Sequence, residues 1–91
     1  MSHTRTNKDQ LLARTRRIAG QVAAIERAIA DEAGCAAILH QVAGVRGAIA
    51  GLIDELVADH LQSHIVAPGL SDADRAQGGD ELLAVIRRYT K

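Results

Sequence analysis

The sequence predicts an all-α protein, and three observations carry that prediction. Its apolar residues are nearly all small aliphatics, with Tyr89 the one aromatic and Pro68 the one proline among 91 residues. Such a composition suits packed helices better than a sheet, where aromatics and threonine are enriched. Apolar positions recur at alternating spacings of three and four along two long stretches, the seam of a coiled-coil-like helix. The breaks between stretches hold capping and helix-ending residues.

The chain starts with the short polar segment Met1-Ser2-His3-Thr4. Removal of Met1 before the small Ser2 leaves a free amine one residue from His3. Thr6 or Asn7 then caps a first helix with its seam at Leu11, Thr15, Ile18, Val22, Ile25 and Ile29. Gly20 interrupts that pattern at a cost of about 1 kcal/mol relative to alanine, so a close helix contact is expected there. Asp31-Glu32-Ala33-Gly34 ends the run and supplies caps for the next helix.

The second helix runs from Cys35 to His64 and repeats the seam at Cys35, Ile38, Val42, Val45, Ile49, Leu52 and Leu56. Beside it lies a row of Arg46, Ala50, Ile53, Val57, His60 and His64. Gly44, Gly47 and Gly51 weaken its middle, and close approach by another helix is the usual compensation. A helix crossing between subunits is therefore expected near Gly47. Ala67-Pro68-Gly69 ends the helix, because proline cannot continue it and glycine accepts a left-handed turn.

Ser71-Asp72-Ala73-Asp74 resembles a capping box that opens a third helix, whereas Gly78-Gly79 would delay its start to Asp80. Leu82, Leu83, Val85, Ile86 and Tyr89 give it an apolar face, and Arg87, Arg88 and Lys91 suit its C-terminal dipole. Residues 1–91 read as one small domain without internal repeats. Three helices, one of them very long, cannot close a core alone. An antiparallel four-helix core, built from the first two helices of each of two chains, is the expected solution.

Net charge is zero but unevenly spread. Residues 1–20 hold Arg5, Lys8, Arg14, Arg16 and Arg17 against Asp9, a local net of +4. Residues 21–66 hold Glu26, Asp31, Glu32, Asp54, Glu55 and Asp59 against Arg27 and Arg46, a net of −4. A basic N-terminal segment on a neutral chain points to an anionic partner for that segment. The single cysteine excludes an internal disulfide, and with no signal-like or long apolar run recognised, a cytoplasmic protein without a membrane partner is expected. No Gly-rich phosphate loop, paired carboxylates or nucleophile with an evident base is present, so the chain does not read as an enzyme.

Two histidines at i, i+4, His60 and His64, share a helix face and can bind one metal. Each candidate has a bland reading: surface histidine pairs arise by chance, and a lone cysteine is commonly a small buried hydrophobe. Geometry favours the sharper one. At about 1.5 Å per residue, Cys35 and His60 lie roughly 37 Å apart on a straight helix and cannot share a site within one chain. If two such helices pack antiparallel in register, Cys35 of one comes level with His60 and His64 of the other. His3 and the Ser2 amine can fold over the same end. One thiolate with several nitrogens suits Ni(II), Co(II) or Zn(II) better than Cu(I). His40 lies on a different row and reads as solvated or as a partner contact.

The basic residues Arg14, Arg16 and Arg17, with Arg5 and Lys8 upstream, read by themselves as an ordinary solvated face. Repeated on a symmetric oligomer, they form a cationic stripe suited to the phosphate backbone of double-stranded DNA. Arg46 either extends that stripe or pairs with an acid. No interleaved aromatics support base stacking on single strands, and no short helix-turn-helix supports conventional groove reading.

Three ordered motifs carry a resemblance over nearly the whole chain: Arg14-Thr15-Arg16-Arg17-Ile18-Ala19-Gly20-Gln21-Val22, Cys35-Ala36-Ala37-Ile38-Leu39-His40-Gln41-Val42-Ala43-Gly44-Val45-Arg46-Gly47-Ala48, and Asp59-His60-Leu61-Gln62-Ser63-His64. The sequence resembles the CsoR/RcnR family of bacterial metal-sensing repressors. The resemblance implies an all-helical tetramer, a dimer of antiparallel dimers, that binds operator DNA when metal-free. Inducer binding then releases the DNA and turns on an efflux or detoxification operon. Copper and persulfide sensors of the family need two cysteines, and this chain has one. The formaldehyde-responsive branch has an N-terminal proline after Met removal, where this chain has Ser2. The nickel/cobalt branch pairs histidine, cysteine, histidine and histidine, matched here by His3, Cys35, His60 and His64. Some of its members carry glutamates where this chain has Gly34 and Ser63. The reading that follows is a Ni(II)- or Co(II)-responsive repressor, with a formaldehyde or electrophile sensor using Cys35, or a Zn(II)-stabilised helical oligomer without a DNA role, as alternatives.

Overall fold

The computed structural model describes residues 7–89, and the expectations on Ser2, His3, Arg5, Thr6 and Lys91 lie outside them. Three helices follow in order: α1, Lys8–Ala30; α2, Cys35–His64; and α3, Asp72–Tyr89. No strand occurs among the described residues. The all-α class and the three expected helices are therefore observed. The described residues divide into two compact units, one formed by Lys8–Ile53 and the other by residues 54–89 together with Asn7.

In the first unit α1 and the start of α2 form a helical hairpin around the short Asp31–Gly34 link. The end of α1 is closed by a Schellman motif. The Ala33 N–H donates to Ala28 O at 2.9 Å, and the Glu32 N–H to Ile29 O at 3.1 Å. The left-handed residue of that motif is Glu32, with φ 57°, although Gly34 follows two positions later. A hairpin centred on this link makes the two helices antiparallel, and Arg14 accordingly meets Gly51: a Cβ on Gly51 would fall 2.9 Å from the Arg14 Nη1.

The expected close contacts at Gly20 and Gly47 are not made within the chain, since a Cβ on either would meet nothing within 4 Å. Within the chain, Gly51 is the glycine of these helices that takes a close approach. Leu11 and Val45 are the buried apolar residues, at 9% and 8% exposure, while Val22, Ile29, Leu39, Val42 and Ile49 remain exposed. The seam thus forms on both helices and stays largely uncovered in a single chain. Gly44, like Gly47, stands in open space on this surface.

One expectation needs correction. By length and composition alone α2 is apolar enough to cross a membrane, so the chain does contain a long apolar run. Its seam of Val, Ile and Leu is interleaved with Ala and Gly rather than with charged residues, and only Arg46 interrupts it before Asp54.

In the second unit the last turns of α2 meet α3. The helix ends with the Val66 N–H donating to Leu61 O at 2.9 Å, ahead of Pro68 and of Gly69, whose φ is 85°. The Pro-Gly pair matches the inner positions of a type II turn. The Arg75 guanidinium reaches back to the carbonyls of Ile65 and Leu70 and so closes the link. Ser71 caps α3: its Oγ accepts from the Asp74 N–H at 3.0 Å. The helix therefore starts with the Ser71 cap and not at Asp80. Gly78-Gly79 lies inside it, and Gly78 is buried against the His64 backbone.

Candidate metal centre and nucleic-acid interface

The histidine pair sits on the last two turns of α2, and the i, i+4 spacing brings the rings together as expected. The centroids of His60 and His64 are 4.9 Å apart with a 40° tilt between planes. Packing of α3 then fixes one ring. The His60 Nε2 lies 2.9 Å from the Gly78 carbonyl oxygen, which only accepts, so Nε2 is the donor. In the neutral ring the lone pair is accordingly on Nδ1. Glu81 Oε1 stands 3.9 Å from the same Nε2, an ion pair only when the ring is doubly protonated. A histidine that gives one ring N–H to a backbone carbonyl is oriented as metal-bound histidines characteristically are.

Gly78 makes this contact because it lacks a side chain. With α3 crossing so close to the end of α2, a Cβ at position 78 would overlap the His64 carbonyl group. Asp59, one residue before His60, is 7% exposed. Its Oδ1 accepts from the Asn7 Nδ2 at 2.7 Å, and its Oδ2 is buried without a partner. Asn7, one of the two residues expected to cap α1, directly precedes its first residue, and its side-chain donor is directed to Asp59.

Cys35 opens α2 as an exposed free thiol, at the far end of that helix from His64. Among the described residues of one chain, no group of three or more His, Cys, Asp or Glu side chains comes together in a way that could hold a metal. The structure thus assembles the His60–His64 pair and leaves Cys35 outside it. His40 is exposed.

On the basic helix Lys8, Arg16 and Arg17 are exposed, as is Arg46 on α2. Arg14 is half-buried with its guanidinium over Gly51. The five cations expected to face an anion, Arg46 aside, are therefore not equivalent: Arg14 is held by the hairpin, while Arg16 and Arg17 project.

Sequence reasoning missed Gly78, Glu81, Asp59 and Asn7 as parts of this region. A signal for the first was present, since a Gly-Gly pair inside an amphipathic helix marks close backbone approach. Nothing in the local pattern links Asn7 to Asp59 across 52 residues.

An all-helical chain with a basic first helix and a histidine donor pair steadied by its third helix has the parts of a small ligand-responsive DNA-binding regulator. A family model described as a metal-sensitive transcriptional repressor matches residues 7–88. The transcriptional repressor RcnR of Salmonella arizonae is 43% identical over 91 residues, with all of both chains covered. RcnR of Escherichia coli O9:H4 is 41% identical over the same full length. Among solved structures, a variant of the formaldehyde-responsive regulator FrmR from Salmonella enterica serovar Typhimurium matches with a TM-score of 0.87 and 43% identity, covering 92% of this chain and 94% of that one. The chain belongs to the CsoR/RcnR family of metal-sensitive transcriptional repressors. It is thus a member of a family of repressors and not of enzymes.

Proposed function

We propose that the protein is a Ni(II)- or Co(II)-responsive repressor that binds operator DNA without metal and leaves it when the inducer is bound. The observation that carries this reading is the orientation of His60. Its Nε2 is given to the Gly78 carbonyl at 2.9 Å, so its other nitrogen carries the lone pair a metal needs, with His64 beside it. The curated relatives that bear the RcnR name support it.

Cys35 of one protomer with His60 and His64 of its partner form the proposed donor core, completed by His3 and the Ser2 amine. This is a borderline-soft set, suited to Ni(II), Co(II) and Zn(II). A divalent cation supplies the coordination bonds that draw these donors to one point. Cys35 must lose its proton to take part, which couples affinity to pH. Arg16, Arg17, Lys8 and Arg5, with Arg14 and Arg46, form the proposed DNA-contacting surface, repeated by symmetry. Release requires the liganded conformation to hold DNA less tightly than the free one; without that difference no induction follows.

Self-association belongs to the same proposal. The uncovered seam of Val22, Ile29, Leu39, Val42 and Ile49 is the face an antiparallel four-helix dimer would bury, with two dimers forming a tetramer. The apolar α2 is then an oligomer core helix in a cytoplasmic protein, not a membrane span.

A second reading has its own support. Cys35 is exposed, and a formaldehyde-responsive regulator matches closely in structure, which favours an electrophile sensor using that thiol. A Zn(II)-stabilised oligomer without a DNA role loses its ground with membership in a repressor family. Titrating Ni(II), Co(II), Zn(II) and formaldehyde into the protein on its own operator DNA decides between the readings. Release by Ni(II) or Co(II) is expected. Release by formaldehyde alone overturns the metal reading, and absence of apo binding overturns both.

A further inference from the structure

Asp59 has no part in the donor set or in the basic surface, yet among the described residues it is the buried charged one, at 7% exposure. An ionised carboxylate only accepts hydrogen bonds, and burying one is costly unless those bonds are made. Here one bond is made, from the Asn7 Nδ2 to Oδ1 at 2.7 Å, while Oδ2 has no partner. The burial of Asp59 therefore depends on Asn7. Adjacent helix positions do not face each other, whereas His60 and His64 do, so Asp59 is not a co-ligand of that pair. What it holds is the residue that leads into α1 and follows directly on the segment carrying Ser2 and His3.

Chain reach gives this contact a consequence. His3 precedes Asn7 by four positions, so with Asn7 fixed the His3 Cα stays within roughly 14 Å of the Asn7 Cα, even fully extended. Tethering a donor near its site raises its effective concentration there without any new contact to the ligand.

We propose that Asp59 is a positioning residue for inducer recognition: it holds Asn7, the point from which the chain leads back to Ser2 and His3, beside the histidine turn of α2, and it does not coordinate the ion itself. The proposal rests on the metal-responsive reading above, and one arm of its test is independent of metal. In that arm, amide hydrogen exchange of residues 8–12 is compared in metal-free wild-type, Asn7→Ala, Asp59→Ala and double variants of the full chain. Faster exchange is expected in each single variant, with no further acceleration in the double, as for two residues sharing one contact. Asn7→Ala leaves the interior of α2 untouched and keeps the test open if Asp59→Ala does not fold.

In the second arm Co(II) is the probe. The thiolate-to-cobalt band from Cys35 is expected to persist in Asn7→Ala, while the ligand-field bands report loss of nitrogen donors. Co(II) affinity is expected to fall by about tenfold or more, the usual effect of removing an outer-shell partner. Asp59→Asn, whose amide oxygen still accepts from Asn7, is expected to restore most of it. Unchanged exchange in the single variants overturns the tether. Accelerated exchange with wild-type Co(II) affinity and spectrum overturns its role in inducer recognition. A wild-type protein with no thiolate-to-cobalt band overturns the underlying metal reading, while the exchange arm still reports the tether.

Discussion

Gly78 of α3 rests on the backbone of His64: a Cβ added to it would fall 2.9 Å from the His64 carbonyl carbon and 3.0 Å from the His64 Cβ. The same glycine accepts the His60 Nε2 hydrogen bond through its carbonyl. One residue without a side chain therefore sets both the spacing of α3 and the orientation of a candidate ligand.

Gly78→Ala is expected to push α3 away from the end of α2, because the overlap is with backbone and not with a flexible side-chain tip. Overpacking of this kind typically costs about 1–3 kcal/mol. Urea unfolding at matched protein concentration measures it. Gly79→Ala is the control, since a Cβ there meets nothing within 4 Å. Equal destabilisation by the two substitutions would remove the argument for a close approach at Gly78.

The exposed arginines of α1 separate from Arg14 by burial, and their DNA effects should separate as well. Arg16→Ala and Arg17→Ala are each expected to weaken binding uniformly across sequences and to reduce the slope of log affinity against log salt by about 1. Gly51→Ala places a methyl group 2.9 Å from the Arg14 Nη1 and must displace that guanidinium. If Arg14 contacts DNA from its seat on Gly51, Gly51→Ala weakens binding without touching any cation. Fluorescence anisotropy over a salt series reads all three.

The helices were legible because their signals are local. Heptad spacing, the Asp31–Gly34 break and Pro68-Gly69 mark the ends of α1 and α2, and Ser71 marks the start of α3. The His60–His64 pair was legible for the same reason, since helical periodicity alone brings i and i+4 together. Asn7–Asp59 and His60–Gly78 were not, because they depend on how separate segments meet. The glycines were legible only in part. Within one chain those at 20 and 47 have open space above them, as contacts reserved for another subunit would leave them, while Gly51 and Gly78 accept close neighbours. Sequence shows where a side chain is missing but not which absence is used.

Cys35 supplies the one thiol in the chain, and its removal tests the donor set most directly. Cys35→Ala is expected to abolish release from DNA by Ni(II) or Co(II) and to leave apo DNA affinity unchanged, because the thiol lies exposed and outside the hairpin core. His64→Ala should act in the same direction with the thiolate charge-transfer band retained. A Cys35→Ala protein that still leaves DNA on addition of Ni(II) would refute the assignment of the thiol.

Backbone strain gives the last test. Glu32 holds the left-handed position of the Schellman motif at φ 57°, where a side chain is disfavoured by about 1 kcal/mol relative to glycine. Glu32→Gly is therefore expected to stabilise the hairpin by up to that amount, partly offset by the greater freedom glycine has in the unfolded chain. Gly34 presents the opposite case, with no positive φ and with open space around it. Gly34 is also the N-cap of α2, its carbonyl accepting from the Ile38 N–H at 3.1 Å. In Gly34→Ala a gain of about 0.4–1 kcal/mol from restricting the unfolded chain is therefore opposed by a poorer cap, and little net change is expected. Because association adds to apparent stability, both unfolding curves must be taken at one protein concentration. Destabilisation by Glu32→Gly would mean that the Glu32 side chain contributes more to the folded state than its backbone strain costs.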